Sequence, residues 1–182
     1  MPRLFVAIDL PERIRDDISS IYEAIPGAKW TQDPQLHLTL RFIGEVSEDT
    51  AARVENALST IELPSFPMEL KGVGFFPPRK IPRVLWCGIA QNENLLRLQA
   101  KVERTLTGSG IEPQGRKYSP HITVAKLNRC PPDKLAQFMS TNALFHTEPF
   151  LVSEFHLYSS QLRREGALHT KEATYKLSPV QQ

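Results

Sequence analysis

Hydrophobic residues in the first half of the chain form short apolar runs that alternate with stripes at helical spacing. Residues 4–10 are an apolar run between two prolines, which is typical of a buried strand. Isoleucines then recur every three or four residues and predict a helix that ends at Pro26 and Gly27. Residues 37–46 predict a second strand, after which Ser47 is placed to cap a second helix. The apolar stripes are Ile14, Ile18, Ile21 and Ile25 in the first helix and Val54, Leu58 and Ile61 in the second.

The second half of the chain repeats this order of elements. Residues 66–76 predict the strand that closes the first half, although Pro67, Gly72 and Gly74 weaken it. The elements predicted after it are a strand over 84–90, a helix carrying Leu95, Leu98, Val102 and Leu106, a strand over 121–127, a short helix over 131–139, a strand over 150–159 and a last strand over 173–177.

Two histidines mark the same place in the two halves. His37 aligns with His121, and each is followed after 29 residues by the Phe that begins the closing strand. This order predicts one domain, 1–182, made of two lobes at about 1–80 and 81–182. A pseudo-twofold axis would relate the lobes and turn their sheets toward a shared cleft. An exchange of terminal strands between the lobes is left open.

The composition indicates a folded protein and excludes several kinds of function. Of the 182 residues, 41% are hydrophobic and 23% are charged, which provides for a core and excludes wholesale disorder. The formal net charge of +2 permits an anionic ligand but is too small for a histone-like coating of nucleic acid. Cys87 and Cys130 are too few for a disulfide framework or a four-cysteine zinc site. No apolar run approaches the ~20 residues needed to cross a bilayer, and no signal-peptide pattern is found, so a soluble cytoplasmic protein is expected.

Two motifs of one pattern carry the candidate chemistry. The pattern H-x-T-x, with apolar residues at x, begins at His37 and again at His121. Because a strand has a period of two, the His and Thr of each motif share one face while the apolar residues enter the core. Two imidazoles across a cleft can act as general base and general acid. The hydroxyls of Thr39 and Thr123 can hold the non-bridging oxygens of a phosphate, so the pattern fits in-line opening of a phosphodiester by water.

Coincidence and metal binding compete with catalysis as the origin of the two motifs. Threonine favours strands and half-buried histidines are common, so a single copy of the motif would carry little information. Two copies at matching positions are much less readily explained by chance. Histidine is also a common metal ligand, but neither strand adds a third His or a carboxylate at ligand spacing. We therefore expect no metal.

Several segments together resemble one family. They are RLFVAIDLP at 3–11, LHLTLRFIGEV at 36–46, PRVLWCG at 82–88, YSPHITVAK at 118–126 and YSSQL at 158–162. In this combination the chain resembles the bacterial and archaeal RNA 2′,3′-cyclic phosphodiesterases, also known as 2′-5′ RNA ligases, of the 2H phosphoesterase superfamily. The resemblance spans nearly the whole chain in the expected order.

The resemblance implies a bilobal α+β fold, the 2H phosphoesterase fold, with two mostly antiparallel sheets around a central cleft and helices on the outside. It implies metal-independent hydrolysis of RNA 2′,3′-cyclic phosphate ends to 2′-phosphates, without a cofactor. Some relatives also join RNA ends reversibly through a 2′-5′ bond. The expected partners are RNA ends that carry the cyclic phosphate, on tRNA fragments or oligonucleotides, with no membrane. The protein is expected to be a monomer.

The resemblance also assigns roles to the residues of the two motifs. It makes His37 and His121 the catalytic pair, with His121 as the base that activates water and His37 as the acid that protonates the 3′ oxygen. It makes Thr39 and Thr123 ligands of the substrate phosphate. Lys126 stands where relatives often carry Arg; a Lys can neutralise a phosphate but gives up bidentate geometry.

Three further residues are candidate substrate contacts. Arg41 has the strand parity of His37, so it could reach the phosphate; the alternative is a solvated cation at a sheet edge. Tyr118 could stack on the terminal base, or be a tyrosine of the core or rim. Phe76 lies on a proline-rich linker that could border the RNA cleft. The linker's cations are Arg79, Lys80 and Arg83, and the histidines expected to be structural or exposed are His146, His156 and His169.

Two alternatives to this function come from different classes. A 2H phosphoesterase could act on another substrate, such as ADP-ribose cyclic phosphate or an oligonucleotide phosphodiester. A non-enzymatic module could bind RNA ends without turnover, although phosphate binding alone does not require two imidazoles.

Overall fold

Apolar runs and stripes become the strands and helices of an α+β fold. The computed structural model describes residues 1–180, which form four α-helices and ten β-strands within that range. The helices are α1 (Glu12–Ser19), α2 (Glu48–Leu58), α3 (Glu93–Gly108) and α4 (Pro132–Thr141). The strands are β1 (Arg3–Asp9), β2 (Ala28–Trp30), β3 (His37–Glu45), β4 (Phe66–Met68), β5 (Leu70–Phe76), β6 (Val84–Ile89), β7 (His121–Leu127), β8 (Phe150–Val152), β9 (Glu154–Arg163) and β10 (Gly166–Lys176).

The strands of residues 1–180 form two four-stranded sheets and one two-stranded pair. The first sheet has the order β10-β9-β1-β3, the second has the order β2-β7-β6-β5, and β4 pairs with β8. All strand pairs are antiparallel, which agrees with the expected fold class. Every residue from Leu4 to Ile8 is buried, because β1 lies inside its sheet and is covered on both faces. Helix α3 packs against α2 and β3.

Each sheet takes strands from both halves of the chain. β5, which closes the first half, pairs with β6, and β9, which closes the second half, pairs with β1. β2 also crosses from the first half to pair with β7. The boundary near residue 80 therefore separates two repeats of element order, and neither sheet belongs to one half alone.

Several element bounds differ from those expected. Helix α1 ends at Ser19 and does not reach Pro26, because Asp16 and Asp17 place negative charge at its C-terminal end, where the helix dipole disfavours it. The run 66–76 divides into β4 and β5, and 150–159 divides into β8 and β9. Pro67 has no N–H to donate, which suits the narrow β4–β8 pair better than a wide sheet.

The sequence pattern does not predict β2 and predicts only part of β10. β2 has only three residues, and β10 begins at Gly166 rather than at residue 173. β10 is an edge strand with mostly exposed residues, so its sequence lacks the apolar alternation of a half-buried strand. Among the helices of residues 1–180, none combines the length and apolar character that crossing a bilayer requires.

Candidate active site

His37 begins β3 and is held at both nitrogens. Its Nδ1 lies 2.7 Å from the carbonyl oxygen of Gln35 and must donate, since a carbonyl only accepts. Its Nε2 lies 3.1 Å from Oγ1 of Thr39, two residues along the same face. The ring stacks on Phe5 with centroids 5.0 Å apart, and His169 meets it edge-on at 5.5 Å. The expected pairing of imidazole and hydroxyl on one face of β3 is present.

His121 begins β7 with a matching anchor. Its Nδ1 lies 2.7 Å from the carbonyl oxygen of Ser119, again two residues earlier in the chain. Phe76 meets the ring edge-on with centroids 4.9 Å apart, and Trp86 lies at 6.4 Å. Thr123 is half-buried like His121 and lies opposite Trp86 in β6. In both motifs Nδ1 is anchored to the backbone and Nε2 is not, although Nε2 of His37 lies beside Oγ1 of Thr39.

Each motif contributes a residue to the lining of one cavity. β3 and β7 are in contact, and the Tyr118 hydroxyl donates to the backbone carbonyl of Thr39 at 2.8 Å, which ties the approach to β7 onto β3. A cavity of about 710 Å³ is lined by Thr39 and His121, among others. Its walls include an exposed aromatic, a proline turn and a basic loop: Phe42, Phe76, Pro77, Pro78, Arg116 and Lys117.

The two histidines differ in their surroundings. The pKa of His37 is lowered from 6.5 to about 4, mainly by burial and also by the nearby imidazole of His169. The hydrogen bond to Gln35 and the charge of Asp9 oppose this shift. The aromatic ring of Phe5 supplies part of the apolar environment, so free His37 is neutral at pH 7.

Arg41 departs from simple strand parity with His37, although it is among the residues that line the cavity. The pairing of β1 with β3 shifts register between Val6 and Ala7, so Arg41 lies opposite Val6 on the core side. Arg41 is only 6% exposed. Its Nε donates to Oε2 of Glu103 at 2.6 Å, and its other nitrogens donate to the carbonyls of Phe42 and Glu112. Its donors are thus committed to holding α3 and the following loop against β3.

The same irregularity brings Lys126 to the His121 face. The pairing of β6 with β7 shifts register between Leu85 and Trp86, so Lys126 lies opposite Val84 and shares a face with Thr123. Lys126 is exposed there. Without the bulge, simple alternation would turn it toward the core.

The two aromatic candidates, Tyr118 and Phe76, have different surroundings. The hydroxyl of Tyr118 is used within the protein, and burial raises its pKa. Tyr118 packs against the core as well as lining the cavity, which fits the core alternative better than a stacking platform. Phe76 lies at the cavity wall and against His121.

Three neighbours of the catalytic candidates could not be identified from the sequence as part of the site. Phe5 and Trp86 lie in apolar strand runs that give no sign of a site, and His169 had been expected to be structural or exposed. His169 is half-buried, packs on Phe5 with centroids 5.0 Å apart, and burial lowers its pKa. The strand pairing was the missing information, because these residues meet the motifs only across strands.

A polar network lies beside His37 on the first sheet. Asp9, directly opposite His37, accepts hydrogen bonds from the Tyr158 hydroxyl and from Nζ of Lys171, the latter at 2.8 Å. His156 is buried, with Nδ1 3.0 Å from Thr174 Oγ1 and Nε2 3.3 Å from an Asp9 oxygen. Burial lowers the pKa of His156, and Tyr158 and Lys171 help to lower that of Asp9 against its burial. Across residues 1–180, no three or more His, Cys, Asp or Glu residues gather into a cluster that could hold a metal ion.

Comparison with known proteins gives a consistent result. The family model described as LigT like Phosphoesterase matches the chain twice, at residues 8–86 and 88–169. An RNA 2′,3′-cyclic phosphodiesterase of Aeropyrum pernix is 36% identical over 162 residues, covering 86% of this chain and 89% of the relative. The protein of that name from Methanothermobacter thermautotrophicus is 32% identical, covering 96% and 98%. Among solved structures, E. coli LigT complexed with 3′-AMP superposes with a TM-score of 0.78 at 27% identity, covering 97% of this chain and 99% of that one.

Proposed function

The chain belongs to the LigT-like phosphoesterases of the 2H superfamily, and from this membership we propose that it hydrolyses RNA 2′,3′-cyclic phosphate ends to 2′-phosphates. It is a hydrolase of the kind for which its curated relatives are named. The finer parts of the proposal are the residues, their roles, the absence of a metal from the reaction, and the reverse joining reaction.

One observation supports the proposal more than any other. Two imidazoles, each anchored through Nδ1 to the carbonyl two residues earlier, begin strands that contact each other, and one residue of each motif, Thr39 and His121, lines the same cavity. A cyclic phosphodiester needs one group to remove a proton from water and another to give a proton to the leaving oxygen. A neutral imidazole and an imidazolium, each presenting Nε2, are suited to these tasks.

The proposed reaction assigns each step to one side chain. Nε2 of His121 accepts a proton from water as the water oxygen forms a bond to phosphorus. The bond from phosphorus to the 3′ oxygen breaks, and His37 gives its Nε2 proton to that oxygen, which leaves a 2′-phosphate. Thr39 and Thr123 donate to the non-bridging oxygens, and Lys126 neutralises charge that builds on them.

Because the pKa of His37 is low in the free protein, His37 can act as the acid only if bound substrate raises that pKa. With a pKa of about 4, His37 is neutral in the free protein at pH 7. A phosphate anion about 4 Å from an imidazolium contributes about 4 kcal/mol at an effective dielectric constant near 20. That energy corresponds to about three pKa units. Binding of the anion therefore brings the pKa of His37 back near neutrality.

The same chemistry accounts for joining. If the 5′-hydroxyl of a second RNA replaces water, its oxygen bonds to phosphorus, the bond to the 3′ oxygen breaks, and a 2′-5′ phosphodiester results. His121 again takes the proton of the attacking hydroxyl, and His37 again protonates the 3′ oxygen. The cavity beside Thr39, with Phe42 on its wall, is the proposed place for the terminal nucleoside.

The test uses a short RNA that ends in a 2′,3′-cyclic phosphate, incubated with the protein in excess EDTA and followed by phosphorus NMR. A 2′-phosphate product is expected. A 3′-phosphate would keep the two-histidine chemistry and reverse the leaving oxygen. Dependence on added metal would overturn the proposed mechanism. No reaction, with ADP-ribose cyclic phosphate also unchanged, would favour an RNA-end-binding module instead.

Substitution of the histidines tests the assigned residues. His37→Gln or His121→Gln should lower kcat by about 10²–10⁴-fold, the usual contribution of an acid or base. His146→Gln is the matched control, because His146 is an exposed histidine of a connecting loop. Far-UV circular dichroism should show all three variants folded. Turnover within threefold of wild type in either motif variant would exclude that histidine from the chemistry.

A further inference from the structure

The charges of the chain are divided unevenly between its two sheets. Segments 24–32, 70–92 and 113–130 contain all four strands of the second sheet, β2, β5, β6 and β7, the loop that precedes β6, and residues 113–120 of the loop that precedes β7; Glu112 of that loop lies outside them. They carry nine of the 22 Lys and Arg residues and none of the 20 Asp and Glu residues. The rest of the chain carries 13 cations and every carboxylate side chain, so the small net charge of the whole chain conceals a strongly basic region.

The cations of the second sheet have no ion-pair partners in the part of the chain that the structure describes. The nine are Lys29, Lys71, Arg79, Lys80, Arg83, Arg116, Lys117, Lys126 and Arg129. On the first sheet, by contrast, Lys171 pairs with Asp9 and Lys176 pairs with Glu154. Of the five cations on the strands of the first sheet, Arg41, Lys171 and Lys176 form ion pairs, whereas the cations of the second sheet form none within residues 1–180 and are available to a polyanion.

Two of these lysines face each other across neighbouring strands. Lys29 of β2 lies directly opposite Lys126 of β7, and both are exposed. Directly opposed residues of an antiparallel pair share a face, and like charges in that position are destabilising. Because Lys126 shares the face of Thr123, Lys29 extends positive charge from the active site to the sheet edge. An anion between the two ammonium groups would relieve their repulsion.

The two basic loops continue this surface. Arg79 and Lys80 are exposed in the loop that follows Phe76, the residue packed against His121. Arg116 and Lys117 are exposed in the loop before β7 and line the cavity beside His121. Along β6 the partners of Thr123 and Lys126 are two residues apart, about 7 Å of strand. The cations thus extend outward from the reacting phosphate on the His121 side.

We propose that this basic surface of the second sheet, formed by Lys29, Lys126 and the loops 77–83 and 113–120, binds the backbone phosphates of single-stranded RNA on the 5′ side of the cyclic end. The inference rests on the proposed function and adds its substrate class: the enzyme prefers an oligonucleotide to a nucleoside 2′,3′-cyclic phosphate. The first sheet contacts only the terminal nucleotide.

The test compares two substrates with one terminal base, a nucleoside 2′,3′-cyclic phosphate and a tetranucleotide ending in the same cyclic phosphate. The variant is Lys29→Gln/Arg79→Gln/Lys80→Gln, which leaves the proposed catalytic residues and Lys126 in place. The control is Arg97→Gln/Arg104→Gln/Lys134→Gln, which removes three exposed cations from α3 and α4. Binding of a tetranucleotide with an ordinary 3′-hydroxyl is measured in parallel by fluorescence anisotropy as a function of salt.

The expected result is selective. The first variant should lose at least tenfold in kcat/KM on the tetranucleotide and keep wild-type turnover of the mononucleotide. The slope of log affinity against log salt should fall by about 2, since each phosphate contact on a single strand contributes about 0.7. The control variant should keep both within twofold.

The remaining outcomes separate this inference from the function beneath it. The inference is overturned if the variant and wild type have equal kcat/KM on the tetranucleotide, or if the variant loses activity equally on both substrates. In either case, hydrolysis by wild type still supports the proposed function. If wild type hydrolyses neither substrate, the proposed function fails. The anisotropy measurement then tests the proposed RNA-binding surface independently of catalysis. Unchanged RNA binding in the variant overturns the proposed surface, and lost binding supports it.

Discussion

His37 and His121 share a hydrogen-bond pattern but not an environment. The carbonyls of Gln35 and Ser119 fix both rings in the same way. Phe5 and His169 surround His37 closely enough to lower its pKa to about 4. Two identical motifs therefore hold their imidazoles in different surroundings, because Phe5 and His169 pack against His37 whereas Phe76 packs against His121.

The first prediction concerns the titration of His37. NMR should place its pKa near 4 in the free protein, and inorganic phosphate in the cleft should raise it by about two to three units through the Coulomb interaction. His146→Gln serves as the assignment control. A His37 midpoint near 6.5 that phosphate does not move would contradict both the burial and the proposed acid.

The same shift makes stability depend on pH. Since the pKa of His37 is about 4 when folded and 6.5 ordinarily, the unfolded chain binds more protons between these values. The contribution is complete above pH 6.5 and is lost as the pH falls toward 4, by at most about 3 kcal/mol. In urea unfolding, the free energy of unfolding of wild type should fall more steeply than that of His37→Gln as the pH falls from 6.5 to 4. Equal slopes for the two proteins would contradict the prediction.

Arg41 illustrates a residue whose type is misleading. Its place beside a catalytic motif suggested a phosphate ligand, but the fold uses it in an ion pair with Glu103. Arg41→Met should lower the free energy of unfolding by about 3 kcal/mol, since removing one partner leaves a partly buried carboxylate unpaired. Adding Glu103→Leu should restore most of that loss. If KM rose sharply in Arg41→Met and stayed high in the double variant, Arg41 would instead contact substrate.

At the scale of elements, one irregularity occurs twice. β3 and β7 begin with the same order of half-buried, buried and exposed residues, and both shift register after the Thr of the motif. The bulge turns Arg41 and Ala125 inward and brings Phe42 and Lys126 outward. Element type and order, the duplication and the matched histidines could be predicted from the sequence. The bulges could not, because period-two alternation assumes an uninterrupted ladder.

Gly74 shows what strand pairing demands of a single position in β5. A Cβ on this buried glycine would lie 2.2 Å from the Trp86 indole, which lies near His121. Gly74→Ala should displace Trp86, lower the melting temperature and reduce kcat. Gly108→Ala is the control, because a Cβ there meets nothing within 4 Å. Wild-type stability and turnover in Gly74→Ala would show that the indole moves freely.

At the scale of the whole molecule, the exchange of strands couples the two sheets. β9 completes the first sheet and β5 completes the second, so each half of the chain supplies what the other half's sheet lacks. Sequence order revealed the repeat but not this exchange, because strand pairing between distant segments leaves no local pattern. Because each sheet contains strands from both halves, we expect that neither sheet can unfold while the other remains intact.

Tryptophan fluorescence can test this coupling, because both tryptophans of the chain, Trp30 and Trp86, lie in the second sheet. Leu157 is buried in β9 of the first sheet, and Leu157→Ala should cost about 2–5 kcal/mol. If the molecule unfolds as one unit, Leu157→Ala should lower the urea midpoint measured by tryptophan fluorescence as much as the midpoint measured by circular dichroism. Leu85→Ala, in β6, is the matched variant within the second sheet. A fluorescence transition that Leu157→Ala leaves unmoved would mean that the second sheet stands alone, and the two histidines would then be brought together by docking rather than by folding.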